Sequence, residues 1–102
     1  MAFKLKPDAT FTATVMIPNG DTPLPLKLKF RRKRKEDVAA WIESAAGRAD
    51  ADTLGEVIDG WTDVDTPYSS DALTEMLSAY SGAGMAIFGG YLRALSEAER
   101  KN

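Results

Sequence analysis

Five cations follow one another at Arg31, Arg32, Lys33, Arg34 and Lys35. Side chains of this type bind phosphate groups, so the run raises the possibility of a nucleic-acid-binding regulator. Two observations weigh against it, because the sequence pI is about 5.1 and no aromatic-rich platform for stacked bases accompanies the run. The run favours a solvated connection between a strand and a helix, or a contact for an acidic protein surface.

Three carboxylates, Asp59, Asp63 and Asp65, cluster around Trp61. Grouped acids can hold a hard cation or serve as a general acid and base. Their spacing suits neither role, because a calcium loop would need another oxygen ligand where Pro67 stands, a glycine after it and a clamping Glu. We therefore expect these acids to cap helix ends and loops, and we expect no metal site.

Neither cysteine nor histidine occurs in the sequence. This excludes disulfides, zinc sites built on thiolate or imidazole, and Ser-His or Cys-His relays. The segment Gly82-Ala83-Gly84 matches half of a dinucleotide loop, but Ile87 stands at the third glycine position and no predicted strand precedes it. The sequence therefore predicts no catalytic residue and no cofactor.

The chain has 102 residues, of which 44% are hydrophobic and 27% charged, a size and composition typical of one folded domain spanning residues 1–102. The charge is unevenly distributed. A basic β-hairpin region, residues 1–35, carries nine Lys/Arg and two acids, and an acidic helical region, residues 36–102, carries four and thirteen. The asymmetry suits self-association, with the basic region of one copy facing the acidic region of another, or neutralisation within one molecule.

No apolar stretch in the sequence approaches the roughly 18 to 20 residues that a membrane span requires. The first seven residues also lack the apolar segment of a secretory signal peptide. We therefore expect a cytosolic protein without membrane contact.

Two strands are predicted at the start of the chain, because apolar residues alternate with polar ones along residues 10–17 and 24–30. Pro25 indicates an edge position or the beginning of its strand. The cluster between the strands supplies two candidates for a positive φ angle, Asn19 and Gly20, and predicts an antiparallel hairpin. The inward positions are Phe11, Ala13, Val15, Ile17, Leu24, Leu26, Leu28 and Phe30.

Two amphipathic helices are predicted next, from apolar residues that recur with a helical period. The first ends at Gly47, and the second begins at a cap, Asp50 or Asp52, and ends near Gly60. Their inward residues are Val38, Trp41, Ile42, Ala45, Leu54, Val57, Ile58 and Trp61.

A loop over residues 62–70 and two further helices complete the prediction. Ser70 or Asp71 caps the third helix, and the fourth runs from about Ala83 into the tail. Gly89 and Gly90 lie inside the fourth helix, where they imply a kink or the close approach of another backbone. The inward residues are Leu73, Met76, Leu77, Tyr80, Ile87, Tyr91, Ala94, Leu95 and Ala98. The predicted fold class is α+β, an N-terminal antiparallel β-hairpin packed against about four α-helices.

The order of several short segments carries more information than any one of them. They are Phe3-Lys4-Leu5, Thr10-Phe11-Thr12-Ala13, Val15-Met16-Ile17-Pro18-Asn19-Gly20, Phe30 before the basic run, Ile58-Asp59-Gly60-Trp61-Thr62-Asp63-Val64-Asp65, and a closing helix with Ala86-Ile87, Tyr91, Leu95 and Arg100-Lys101-Asn102. In this order the sequence resembles the tail assembly chaperones of bacteriophages with long, flexible tails. The denser basic run and the pair Gly89-Gly90 depart from the family pattern.

The resemblance implies a non-enzymatic assembly factor that acts in the host cell cytoplasm and is absent from the mature virion. Proteins of this family bind the long, largely helical tape measure protein and keep it soluble before the tail tube polymerises around it. In many members a ribosomal slip near the end of the gene produces a longer form, whose extra domain recruits the tail tube protein. The ending Lys101-Asn102 can be encoded AAA-AAC, a stretch on which ribosomes slip.

Partner contacts are expected at Trp61, at Tyr91 and Leu95 on the last helix, at Trp41, and along the run from Arg31 to Lys35. Each tryptophan, Tyr91 and Leu95 is also a candidate for the core. Self-association along the tape measure protein would use the charge asymmetry, so a homo-oligomer is expected. A small protein-interaction module and a nucleic-acid-binding regulator are the alternatives.

Overall fold

A computed structural model describes residues 3–100, with side chains for residues 3–97. The side chain of Ala98, which was predicted to face inward, and the ending Lys101-Asn102 lie outside these ranges. The elements in chain order are β1 (Thr10–Ile17), β2 (Leu24–Arg31), α1 (Lys35–Ser44), a 3-10 turn (Ala45–Gly47), α2 (Asp50–Gly55), β3 (Ile58–Thr62), α3 (Ser70–Ala79) and α4 (Ala83–Arg100). The α+β fold class predicted from the sequence is confirmed.

The predicted hairpin is present and regular. Strands β1 and β2 pair antiparallel from Thr10↔Arg31 to Ile17↔Leu24 without a register shift. Beyond the ladder, the Thr22 N–H donates to the Asn19 carbonyl at 3.1 Å, and Gly20 adopts a φ of 57°. Of the two candidates for positive φ, only Gly20 takes that conformation, which glycine adopts without steric cost.

Pro25 marks the beginning of β2. The strand order is β1-β2-β3, so β2 is central, but β3 pairs only with residues 27–30 of it. The missing N–H of Pro25 therefore falls in a part of β2 that β3 does not reach.

A third strand replaces the second half of the predicted second helix. Helix α2 ends at Gly55, and the residues from Ile58 form β3, which pairs antiparallel with β2 across a register shift at Lys29/Phe30. The prediction that the helix continues to Gly60 is wrong. Glycine disfavours a helix interior, β-branched and aromatic residues favour strands, and the open edge of β2 offered backbone partners.

The predicted helix caps are also corrected. The N-cap of α2 is Ala49, which makes no side-chain cap bond, rather than Asp50 or Asp52. Helix α3 is capped one residue earlier than expected, by Ser69, whose hydroxyl accepts the N–H of Ala72 at 3.0 Å. The acids at the start of α2 lie in its first turn instead, where they still favour the helix dipole.

The core lies between the sheet and the helices. Its buried hydrophobic residues are Val15, Ile17, Leu26, Leu28, Phe30, Trp41, Leu54, Val57, Ile58, Leu73, Ala83, Ile87, Tyr91 and Leu95. Two residues predicted to face inward do not: Leu24 is 37% exposed and Ile42 is 41% exposed. Ile42 lies one residue after Trp41, which turns it about 100° around the helix and away from the core.

Helix α4 runs unbroken through the glycine pair, and a side chain rather than a backbone approaches it closely. A Cβ atom at Gly90 would lie 2.9 Å from Cγ2 of Val15 on β1, whereas a Cβ atom at Gly89 would meet nothing within 4 Å. Gly90 is therefore required by packing against the sheet, and Gly89 is not.

This difference in packing predicts that alanine substitutions at Gly89 and Gly90 change the stability of the protein differently. We expect Gly89→Ala to raise the free energy of unfolding by about 1 kcal/mol, because alanine is the better helix former. Gly90→Ala has the same advantage in helix propensity, but its new methyl group forces Val15 to shift. Its free energy of unfolding should therefore be lower than that of Gly89→Ala by about 1 to 3 kcal/mol. Urea unfolding of both variants measures the difference, and equal midpoints would contradict this packing.

Candidate partner-binding groove

An apolar groove with a volume of about 560 Å³ opens at the turn end of the hairpin. The start of β2, the loop after β3 and the outer face of α3 form its walls. We refer to this feature as the apolar groove, and its main lining residues are Leu24, Pro25, Trp61, Val64, Met76 and Tyr80.

The hairpin contributes the least covered wall. Leu24 closes the β1–β2 ladder opposite Ile17, and it lies before the part of β2 that β3 covers. Its side chain is exposed at this end of the ladder, although its position in the alternation is an inward one. An aliphatic side chain held by a strand but left open to water is available for a partner.

The loop after β3 wraps around Trp61. Asp63 has a φ of 60°, the sole positive φ among the described residues other than glycine, and it turns the chain away from the strand. The indole N–H of Trp61 donates to the Thr66 carbonyl at 2.8 Å, and its ring meets that of Tyr68 edge-on with centroids 5.0 Å apart. Val64 at the tip of the turn is left 37% exposed.

Tyr68 connects this loop to β3. Its hydroxyl donates to the Ile58 carbonyl at 3.4 Å. Burial raises the pKa of Tyr68, an effect that the nearby Arg31 charge opposes and Asp59 reinforces. Burial thus acts in the same direction as the ordinary chemistry of a phenol, which is neutral at neutral pH.

Helix α3 forms the opposite wall. The cap at Ser69 fixes where the helix begins and Leu73 anchors it in the core. Met76 and Tyr80, three and seven residues after Leu73, are half-buried and line the groove. The helical period predicted from the sequence thus supplies both the anchor and the wall.

The groove carries negative charge among its exposed lining. Asp63, Asp65 and Glu75 all line it and all are exposed. Asp63 pairs with Lys27 at 3.4 Å, which neutralises one of the three acids, whereas within residues 3–97 Asp65 accepts only the Thr66 hydroxyl at 3.1 Å. An apolar segment flanked by cations would complement this surface.

Of the four apolar residues expected to contact a partner, Trp61 lies in the groove and three are buried in the core. Trp41 stacks on Phe88 at 4.8 Å, and its indole N–H donates to the Thr53 carbonyl at 2.9 Å. Tyr91 and Leu95 are buried on the inner face of α4. A partner cannot reach these three side chains while the chain is folded.

The basic run connects β2 to α1, and most of its side chains contact other residues of the same chain. Arg31 pairs with Asp59 at 3.1 Å, and the Arg32 guanidinium donates to the Asp8 carbonyl and lies 5.5 Å from the centre of the Phe11 ring. Lys33 and Arg34 pair with Glu56 and Glu36 at 3.9 and 3.2 Å. Lys35 is the first residue of α1, and no ion pair involves it within residues 3–97.

The two oppositely charged regions therefore face each other in one molecule. Lys27 and Lys29 of the hairpin also reach across to Asp63 and Asp59. This arrangement favours intramolecular neutralisation over the alternative, attraction between copies. Each exposed pair stabilises the fold little, typically by less than about 1 kcal/mol.

The carboxylates around Trp61 do not converge. Asp59 faces Lys29 and Arg31, Asp63 faces Lys27, and Asp65 stays within its own loop. Across the described residues no three acidic side chains are grouped closely enough to hold a metal ion. The helices in that part of the chain are also too short or too polar to cross a membrane.

Sequence reasoning missed most of the groove. Leu24, Met76 and Tyr80 were expected to be core because they keep the strand or helix period. One local signal was available: Val64 stands between Asp63 and Asp65 in a predicted loop, where an apolar residue has no core to enter.

Fold and groove together describe a small α+β protein with a surface cleft that suits an apolar polypeptide segment. A comparison with protein-family models identifies the family: the model for the phage tail assembly chaperone matches residues 1–102, the whole chain. The chain belongs to the phage tail assembly chaperone family, which confirms the resemblance found in the sequence. Neither a search of curated proteins nor one of solved structures returned a match.

Proposed function

We propose that this tail assembly chaperone binds the tape measure protein through the apolar groove and keeps it soluble until the tail tube forms around it. The observation that carries the proposal is the groove itself, in which Leu24 and Val64 present aliphatic side chains to solvent beside Trp61. The groove has the character of a site for the apolar face of a helix.

Physical chemistry supports such a role. A long helical protein with exposed apolar stripes aggregates unless another surface covers the stripes. A small chaperone covers them when many copies bind along the length, and a modest affinity for each copy lets tube subunits displace them. A shallow, partly open groove fits modest affinity better than a deep enclosed pocket does.

The charge of the groove narrows the kind of segment that binds. Asp65 and Glu75 carry no ion pair to another described residue and flank an apolar floor. The best complement is an amphipathic helix with Lys or Arg beside its apolar stripe. Rim charges of this kind act mainly on association rate and orientation.

The remaining parts of the proposal rest on membership of the phage tail assembly chaperone family. The chaperone acts as a non-enzymatic factor in the host cell cytoplasm and is absent from the finished tail. A longer form made by a ribosomal slip recruits the tail tube protein. The nucleotide sequence tests this last point, because codons such as AAG-AAT at Lys101-Asn102 would remove its motivation.

Co-expression with the tape measure protein of the same genome tests the binding proposal. We expect the tape measure protein to move into the soluble fraction and to elute with several copies of this chain in size-exclusion chromatography with light scattering. A tape measure protein that stays insoluble, with the chaperone eluting without it, would refute the proposal. DNA retention at low salt, measured in parallel, examines the nucleic-acid alternative.

A further inference from the structure

In the part of the chain that the structure describes, the outer edge of β1 has no partner strand. The three strands are ordered β1-β2-β3, so β1 pairs with β2 on one side only. Among the described residues, no backbone hydrogen bond outside the β1–β2 ladder involves any residue of β1. The strand is eight residues long and therefore presents a full row of open donors and acceptors.

Two hydrogen bonds identify the residues whose backbone groups point outward. At one end of the hairpin the Arg32 N–H donates to the Ala9 carbonyl at 2.8 Å, and at the other the Thr22 N–H donates to the Asn19 carbonyl. Both bonds join residues in the register of the ladder, so the odd-numbered residues of β1 exchange bonds with β2. The N–H and C=O groups of the even-numbered residues, Thr10, Thr12, Thr14 and Met16, face the open edge.

This edge lacks the features by which proteins prevent strand pairing. The opposite edge strand, β3, has five residues, pairs across a register shift and carries Asp59. Strand β1 has no charged residue, no proline and no register shift. Charges, prolines, bulges and short length are the usual protections of an edge, and β1 has none of them.

Space for another strand lies beside β1. A hollow of about 370 Å³ is bordered by residues 11–14 on one side and by α4 on the other. The helix contributes small residues there, Gly90 and Ala94, together with Arg93 and Glu97 one turn apart. Small residues let a second strand and helix approach closely.

We propose that a second copy of this chain pairs antiparallel with the open edge of β1, joining two three-stranded sheets into one of six strands. A two-fold axis perpendicular to the sheet keeps the apolar rows of both β1 strands on the same side, over both α4 helices. No charge on β1 opposes the pairing, and threonines pair across the new strand contact.

The second copy fits better than an unrelated strand because the surface complements itself. The two-fold axis makes the two α4 helices antiparallel. Arg93 and Glu97 of one copy, which lie one turn apart, then face Glu97 and Arg93 of the other copy. The charge asymmetry of the two halves is not needed, since those charges are largely paired within each molecule. The dimer is also compatible with an open apolar groove, which involves none of the outward-facing positions Thr10, Thr12 and Thr14.

Sedimentation equilibrium and light scattering of the full chain test the proposal. We expect a mass twice the 11.1 kDa of one chain at high concentration. Thr12→Pro removes an N–H that points outward and leaves the β1–β2 ladder intact, so the dimer dissociation constant should rise by about tenfold or more. Thr12→Lys, which places a charge on the exposed face of the same strand, should weaken the dimer as well.

Thr62→Lys provides the matched control, because Thr62 is equally an exposed threonine on an edge strand, but on β3. We expect it to keep the dimer mass, and circular dichroism verifies that all three variants are folded. A wild-type chain that remains monomeric at its highest soluble concentration would overturn the proposal. So would an unchanged dissociation constant in both Thr12 variants, or dissociation by Thr62→Lys to the same extent.

Discussion

Replacing Tyr91 with alanine is expected to remove much of the stability of this protein. The side chain is 0% exposed and its ring lies 5.0 Å from that of Phe30, 5.2 Å from Trp41 and 6.0 Å from Phe11. Truncating a buried aromatic residue to alanine costs about 3 to 5 kcal/mol. The whole free energy of unfolding of a domain of this size is about 5 to 15 kcal/mol, so chemical denaturation should show a large fall in midpoint.

Tyr91→Phe separates the ring from the hydroxyl. The hydroxyl donates to the Arg31 carbonyl at 2.9 Å and accepts the Lys33 N–H at 3.0 Å, and it thereby fastens α4 to the segment that leaves β2. Losing the hydroxyl alone should cost about 1 to 3 kcal/mol, because both backbone groups lose this partner. A Tyr91→Ala midpoint equal to that of wild type would contradict the central position assigned to the ring.

This expectation also changes how partner binding can be tested. A loss of partner binding by Tyr91→Ala would not identify a contact, because the substitution also removes about 3 to 5 kcal/mol of stability. The same applies to Trp41, whose ring stacks on Phe88 and whose N–H is satisfied by Thr53. Variants that report on binding alone must lie in the exposed part of the apolar groove.

The hairpin was predictable because its information is local. A period of two fixes which face of each strand is buried, and a turn containing Gly20 fixes the register. Helices α3 and α4 were predictable for the same reason, since the helical period alone identifies their buried faces.

Strand β3 was not predictable from its own residues. Val57, Ile58 and Trp61 fit a helical stripe continued from Leu54, and they also fit a short strand. The open edge of β2 decides between the two, and this edge exists only once the hairpin has formed. Asp59 then forms ion pairs with Lys29 and Arg31 on the neighbouring strand. No sequence pattern within residues 50–61 predicts these pairs.

The groove was beyond sequence reasoning because three distant segments build it. Trp41 and Trp61 are equivalent as residue types, and only the fold decides that one stacks inside the core and the other lies beside a loop. Leu24 keeps the alternation of β2, and its exposure at the end of the ladder does not show in that pattern. Of the residues expected from the sequence to contact a partner, Trp61 lines the groove, whereas Leu24, Met76 and Tyr80 were expected in the core.

The double variant Leu24→Asp with Val64→Asp is expected to abolish solubilisation of the tape measure protein. Both side chains are 37% exposed, so replacing them leaves the core intact. Each new carboxylate would have to lose its water against the apolar face of the bound helix, a cost that an unpaired charge does not recover. In co-expression we expect the tape measure protein to return to the insoluble fraction while the variant chaperone remains soluble.

The double variant Ile42→Asp with Met85→Asp is the matched control for this result. Ile42 on α1 and Met85 on α4 are 41% and 84% exposed and lie outside the groove, so this pair adds the same two charges elsewhere. It should solubilise the tape measure protein as the wild type does. Equal solubilisation by the groove variant would place the binding surface elsewhere on a chaperone that still binds, whereas failure of the wild type would refute the binding itself. The wild type therefore tests which partner is bound, and the groove variant tests which surface binds it.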